Sequence, residues 1–334
     1  MAFFKDKKVL IIGGTGTIGQ SVLRRILADE PAVVRILSRD EFKQFELQHK
    51  LKDYKNIRYL IGDIRDSTRV QRAMQDIDYV FHAAAMKHVP ACEYNPFEAV
   101  QTNIIGTQNV ILAAIQTGVA KVLFTSTDKA ISPTNTYGAT KLMAERLISA
   151  AEYQKGTNQT IFSSVRFGNV MGSRGSVIPL FKKQIIENRQ ITVTDLNMTR
   201  FMMTSTQAIT LMLKANELAL GGEVFVLKMP MVRMRDLAEV MIEEVPSKYG
   251  ISGKIEIKEI GLRPGEKMYE ELMTDDETRL GWEMQDMFVI PPLFIENKEM
   301  PLGAKPIISN LNSHSGDPIS KETLRDWILT EQLI

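Results

Sequence analysis

Short apolar runs alternate with longer amphipathic stretches through the first half of the chain. Six runs read as strands, at 8–12, 33–38, 57–62, 79–85, 121–125 and 161–166. Between them, apolar positions recur at helical spacing over 17–28, 41–52, 67–75, 97–117 and 137–154. Strand and helix in strict alternation predict an α/β architecture, a doubly wound sheet of parallel strands. After Phe167 the rhythm loosens. Helices are expected at 174–188, 205–220 and 235–245, and strands at 190–194, 223–228 and 255–260. The tail from Pro291 is rich in Pro, Asn, Ser and Gly and reads as an irregular arm, apart from a helix at 321–328. The chain therefore divides into a cofactor-binding domain over 1–167, a mainly substrate-binding part over 168–290 and a C-terminal arm over 291–334. Segments around 205–228 are expected to return to the first domain.

Length and composition narrow the classes of function. The 334 residues can build one large or two modest cores. Lys and Arg number 41 against 40 Asp and Glu, so no global basic field argues for nucleic acid, and anionic ligands must be caught locally. Cys92 is the only cysteine, which excludes an internal disulfide and a thiolate metal site and suits a reducing cytoplasm. No apolar run is long enough to span a membrane, and the N-terminal stretch carries no apolar core with a cleavage site. No internal repeat is visible.

Two segments carry the chemistry. Gly13-Gly14-Thr15-Gly16-Thr17-Ile18-Gly19 follows the first strand and opens the first helix. Glycines at 13, 16 and 19 permit a tight turn, close approach to a pyrophosphate and close helix–strand packing, which predicts a dinucleotide site. At the end of the second strand, Ser38, Arg39 and Lys43 would bind a 2′-phosphate by charge-assisted hydrogen bonds, so NADP is favoured; Asp40 keeps NAD open. Asp63 and Ile64 follow the third strand, where the adenine is expected. Ala83 and Ala84 end the fourth with side chains small enough for a flat ring.

The second segment, 125–141, follows the fifth strand. Tyr137 and Lys141 stand four residues apart, on one face of a helix. The lysine charge is expected to lower the phenol's pKa, so that Tyr137 can take a proton from a hydroxyl while hydride leaves the same carbon. Asp128 and Lys129 sit at the strand end and offer a separate acid–base pair. Arg174 and Arg263 lie in glycine-bearing loops suited to a diphosphate.

Taken together, these motifs resemble the extended short-chain dehydrogenase/reductases, most closely the UDP-N-acetylglucosamine 4,6-dehydratases (C5-inverting) of polysaccharide biosynthesis. The resemblance runs in order from about Lys5 to about Val289. It is carried by GGTGTIG at 13–19, SRDEFKQ at 38–44, GDIRD at 62–66, HAAAMKHVPACE at 82–93, TNIIGT at 102–107, STDKA at 126–130, YGATK at 137–141, RFGNVMGSRGSVIP at 166–179, TRFMM at 199–203 and RPGEK at 263–267. It implies a Rossmann-type sheet with a smaller α/β substrate domain, and a lyase that holds NADP tightly and acts on a nucleotide sugar. Tyr137 would be the C4 oxidation base, with Lys141 holding the ribose. Asp128 would protonate the departing C6 hydroxyl, and Lys129 would remove the C5 proton. Thr127 would hydrogen-bond the sugar, and Lys87, Asn169, Arg174, Thr199, Arg263 and Glu266 would hold substrate and nucleotide.

Such a reaction needs these groups. A C5–H becomes acidic only once C4 is a ketone, so oxidation comes first; water then leaves across C5–C6 and hydride returns to C6. A lysine base must be neutral, so the pKa of Lys129 is expected to fall, driven by desolvation and by Lys141. A 4-epimerase of the same fold needs no C5 base and is the enzyme alternative; a non-catalytic NADP-binding sensor is the alternative of another class. UDP and GDP sugars both remain open. His82, His88 and Cys92 are more simply packing residues than metal ligands. The helices at 97–117 and 137–154 are candidates for a four-helix dimer interface in a homo-oligomer.

Overall fold

The protein is described by a computed structural model over residues 2–294, 300–301, 303–307 and 316–334. Its strands are β1 (Lys8–Ile12), β2 (Val33–Ser38), β3 (Ile57–Ile61), β4 (Tyr79–His82), β5 (Lys121–Thr125), β6 (Ile161–Arg166), β7 (Asn169–Val170), β8 (Gln190–Val193), β9 (Thr199–Met203), β10 (Val224–Leu227), β11 (Met231–Arg233), β12 (Glu256–Glu259), β13 (Trp282–Glu283), β14 (Met287–Ile290) and β15 (Lys305–Pro306). The helices are α1 (Thr17–Leu27), α2 (Glu41–Lys50), α3 (Ser67–Met74), α4 (Val89–Tyr94), α5 (Pro96–Ala99), α6 (Gly106–Thr117), α7 (Thr136–Gln154), α8 (Val177–Asn188), α9 (Ser205–Leu218), α10 (Met234–Tyr249), α11 (Asp275–Leu280) and α12 (Lys321–Thr330).

Ten strands form one sheet in the order β15-β13-β14-β10-β6-β5-β4-β1-β2-β3. The run from β3 to β10 is parallel; β14, β13 and β15 add an antiparallel edge. The run 3-2-1-4-5-6 is the Rossmann-type order, and the chain switches direction between β1 and β4. A crevice opens there, beyond the carboxyl ends of the strands. β1 shows why an unbroken apolar run makes a central strand: Val9 and Ile11 enter one core, Leu10 and Ile12 the core on the opposite face. Side-chain caps set the start of the flanking helices. Asp40 accepts from the Lys43 amide at the head of α2, Asp66 from the Arg69 amide at α3, and Asn135 from the Gly138 amide at α7.

Several expectations need correcting. The stretch 97–117 is not one helix: α5 runs into a π-helical turn (Val100–Ile105) before α6. Asn103 in that turn bonds the Met86 amide and carbonyl and the Thr140 hydroxyl, which ties the wide turn to the loop after β4 and to α7. β4 stops at His82, short of Ala85. The helix expected from 174 begins at Val177, because Gly172 and Gly175 hold the preceding loop in positive φ. Within 282–290, placed by sequence in the second part, β13 and β14 join the main sheet.

Beyond Phe167, β7, β9 and β11 form a small sheet and β8 pairs with β12. With α8 and α10 they enclose a core containing Phe181, Ile185, Leu237 and Met241. The C-terminal α12 closes this core with Leu324 and Ile328. Its Lys321 and Arg325 pair with Glu239, Glu243 and Glu244 of α10. Of the expected arm, residues 295–299, 302 and 308–315 lie outside the described residues, as does residue 1 of the expected first domain. Among the described residues no helix is long and apolar enough to cross a membrane.

Candidate active site

The turn after β1 lies directly on the end of β4. Gly13 has φ +83°, and a Cβ there would sit 2.8 Å from the Ala84 nitrogen, so only glycine fits. Behind the turn, the hydroxyls of Thr15 and Ser38 are 2.7 Å apart. Gly16 opens α1 without a side-chain cap, leaving its first amides facing a cleft of about 620 Å³. Gly16, Thr17, Ile18, Gly19, Arg39, Lys43 and Ala83 line that cleft. Gly13, Thr15, Ser38, Asp63, Ile64 and Ala84 do not. Asp63 instead pairs with Arg39 and Arg65, and Ile64 is buried. Asp40 is occupied as the cap of α2 and as the partner of the Lys43 ammonium.

The reactive segment starts where β5 ends. Asp128–Ala130 form a 3₁₀ turn with Thr127 as its cap. The Thr127 hydroxyl donates to Asp128 Oδ1 at 3.0 Å, and Lys129 Nζ donates to the same oxygen at 3.0 Å. Asp128 is fully buried, and its Oδ2 has no hydrogen-bond partner among the described residues. The first turn of α7 packs against this turn: a Cβ on Gly138 would lie 2.1 Å from the Lys129 carbonyl oxygen. That contact brings Tyr137 beside Asp128 and Lys129. Thr127, Lys129, Tyr137 and Lys141 all face the cleft.

Electrostatics overturn two expectations. Burial pushes the Tyr137 phenol up; the Lys129 charge and a hydrogen bond with Thr127 pull it back, but it stays above its ordinary value. The cation acting on Tyr137 is therefore Lys129. Lys141 instead donates to the Thr125 carbonyl at 2.5 Å and lies over the Phe124 ring. Burial lowers Lys141 to about 7, against the pull of Glu145. For Lys129 itself, burial disfavours the charge, but the carboxylates of Asp128 and Glu270 outweigh it and hold the ammonium above its ordinary value. The expected fall in the Lys129 pKa is absent. His82 is buried against the Thr107 hydroxyl, and burial plus Lys141 lower it to about 3, so it is neutral.

The substrate-side residues surround this cluster. Lys87 donates to the Arg174 carbonyl at 2.9 Å, and the Arg174 amide donates to the Thr17 hydroxyl at 3.1 Å. The loop bearing Arg174 is thus tied to the glycine turn. Asn169 lines both the cleft and an adjoining cavity of about 240 Å³. Met171, Phe181, Met198, Met202 and Met234 make that cavity apolar, and Thr194, Arg200, Arg263 and Glu266 supply its polar wall. Glu266 Oε2 accepts from the Arg263 amide and the Thr194 hydroxyl. Thr199 lines neither cavity; its neighbour Arg200 does.

Two residues escaped the sequence reading. Arg200 bonds the carbonyls of Thr199, Lys267 and Met268, and Glu270 Oε1 lies 3.9 Å from Lys129 Nζ. Arg200 stands inside the TRFMM motif, where nothing local separates its role from that of Thr199. Glu270 sits in Tyr269-Glu270-Glu271-Leu272, where nothing local separates a buried acid from an exposed one.

Comparison with known proteins places the chain. A family described as polysaccharide biosynthesis protein matches residues 9–292. The crystal structure of Pen from Bacillus thuringiensis is 62% identical, with a TM-score of 0.93 over 99% of both chains. An uncharacterized membrane protein of Methanocaldococcus jannaschii is 52% identical over 89% of each chain. A UDP-N-acetylglucosamine 4,6-dehydratase (inverting) of Campylobacter jejuni is 43% identical, over 86% of this chain and 84% of its own. A UDP-glucose 4-epimerase of Rickettsia rickettsii is 37% identical, over 98% and 96%.

Proposed function

The chain belongs to the polysaccharide biosynthesis protein family, extended short-chain dehydrogenase/reductase enzymes that modify nucleotide sugars, and we propose that it is a 4,6-dehydratase. Its substrate on this reading is UDP-N-acetylglucosamine, converted with inversion at C5 to a UDP-4-keto-6-deoxy-hexosamine for surface glycan or nonulosonic acid synthesis. One observation carries the reading: beside Tyr137, Lys129 lines the cleft and pairs at 3.0 Å with the fully buried Asp128, which makes a second proton-transfer pair.

A bound nicotinamide cofactor would take hydride from C4 and deliver it to C6. Tyr137 would accept the C4 hydroxyl proton as the phenolate, so its own proton, which burial holds on, must first leave to solvent through the cleft. Lys129 then removes the proton from C5, Asp128 protonates the C6 hydroxyl as water leaves, and the hydride returned to C6 is matched by a solvent-derived proton added at C5. That step needs a neutral lysine beside a protonated acid, whereas the resting pair is ammonium and carboxylate. The two states hold the same number of protons. Moving one proton across the Lys129–Asp128 hydrogen bond interconverts them without exchange with solvent.

The glycine turn and the uncapped start of α1 fit a dinucleotide. NADP is favoured over NAD, because Arg39 and Lys43 line the cleft while Asp40 is committed to capping α2. Arg174 and Lys87 would meet the diphosphate, and the methionine-lined cavity beyond Asn169 would take the nucleobase. Exposed Leu112 on α6 and Met143 and Tyr153 on α7 support association with a second copy of the chain. The reducing compartment suited to a lone buried thiol, Cys92, supports a cytoplasmic enzyme.

A 4-epimerase is the second reading, favoured by the Rickettsia relative. Mass spectrometry of the product from UDP-N-acetylglucosamine separates the two. The proposal expects loss of one water; an epimer of unchanged mass supports the epimerase. Denaturing the protein and identifying the released dinucleotide decides between NADP and NAD.

A further inference from the structure

Glu270 is almost fully buried, yet no element of secondary structure holds it. Instead the segment around it is pinned at both ends. The Met268 carbonyl accepts from the Thr199 amide and from Arg200. The Leu272 carbonyl accepts from the fully buried Arg166, and the side chains of Leu272 and Met273 are themselves buried. These anchors carry the Glu270 carboxyl into the reactive cluster, where its Oε1 stands 3.9 Å from Lys129 Nζ. Two carboxylates thus flank one ammonium, and only Asp128 was called for by the chemistry above.

We propose that Glu270 is a positioning residue that sets the charge on Lys129, as a second carboxylate partner beside Asp128. The inference rests on the acid–base role given to Lys129 under the dehydratase reading. When Lys129 takes the C5 proton, its new positive charge develops between two carboxyl groups instead of one. An ionised Glu270 strengthens Lys129 as a base, and it also raises the pH at which the amine becomes neutral. Burial and the charge of Asp128 both push Glu270 upward, so its own ionisation depends on whether Lys129 is charged. The other groups acting on this cluster are Arg200 and Lys267, which favour the ionised carboxylate, and Lys87 and Tyr137, which both feel the Lys129 charge.

Pulse labelling of Lys129 with acetic anhydride across a pH series, read by peptide mass spectrometry, reports when the amine becomes neutral. In Glu270→Gln the labelling midpoint should move to lower pH by about one unit, the scale of a lost charge within a few ångströms. Glu270→Asp keeps the charge and should stay near the wild-type midpoint. A Glu270→Gln midpoint equal to wild type, in protein that still binds NADP, overturns the proposal. So does a Glu270→Asp midpoint displaced as far as that of Glu270→Gln. The labelling does not depend on the reaction. A shifted midpoint in an enzyme that shows no deuterium uptake at C5 would leave the role of Glu270 standing and remove the dehydratase reading. Where uptake is present, its pH profile should move to lower pH together with the labelling midpoint.

Discussion

Lys141 keeps its ammonium against the Phe124 ring and the Thr125 carbonyl, and burial brings it to about 7 from an ordinary 10.5. Between those two values the unfolded chain binds more protons at this site than the native state does. Stability contributed here is full above the unfolded value and is lost as pH falls from 10.5 to about 7, by at most about 1.4 kcal/mol per unit. Lys141→Met should therefore flatten the rise in melting temperature between neutral and alkaline pH. An unchanged slope by calorimetry would mean that another group carries it. The positions of Tyr137, Lys141, Asp128 and Lys129 were legible in the sequence, because strand end and helix spacing fix them. The signs of the shifts at Tyr137 and Lys129 were not. Those signs depend on burial and on Glu270, which approaches from a distant segment, and the lysine expected to act on Tyr137 turned out to be Lys129 and not Lys141.

At the scale of elements, one arginine joins three of them. Arg166 at the end of β6 is fully buried; it meets Glu145 of α7 at 2.6 Å, Glu277 of α11 at 2.9 Å and the Leu272 carbonyl at 2.8 Å. Removing it takes the ion-pair partner from the buried Glu145 and leaves Glu277 only the more exposed Arg146 at 3.3 Å. Arg166→Ala should cost on the order of 3–5 kcal/mol in urea unfolding. Because Leu272 loses its anchor too, the loop bearing Glu270 should loosen, read as faster amide exchange through 268–273. A loss below about 1 kcal/mol would show that solvent or neighbours compensate the two acids. The strands β1, β2, β5 and β6 match their predicted spans, since runs buried on both faces announce themselves. The π-helical turn did not, because its cause is the reach of Asn103 to Met86, a contact between separate segments. The antiparallel strands β13 and β14 were missed for a similar reason: they are short, and pairing with β10 defines them more than their own pattern does.

In the whole molecule, the crevice at the strand-order switch and the methionine-lined cavity are joined through Asn169, Val170, Gly175 and Ser176, which line both. Tethers between distant segments shape this join: Arg174 to Thr17, Lys87 to Arg174, and Thr134 and Asn135 to the Gly265 carbonyl. Light scattering should report an assembly larger than one chain, and charges placed at Leu112 and Met143 should reduce it; a monomeric wild type would remove that expectation. The central claim is that Asp128 and Lys129 move protons at C6 and C5 after C4 is oxidised. Proton and deuterium NMR of the product formed from UDP-N-acetylglucosamine in deuterated water tests it most directly. The account predicts a 4-keto-6-deoxy sugar with deuterium at C5 in the inverted configuration, and no such product from Lys129→Ala. A 4-keto-6-deoxy product carrying protium at C5, or unchanged formation of the deuterated product by Lys129→Ala, would contradict it.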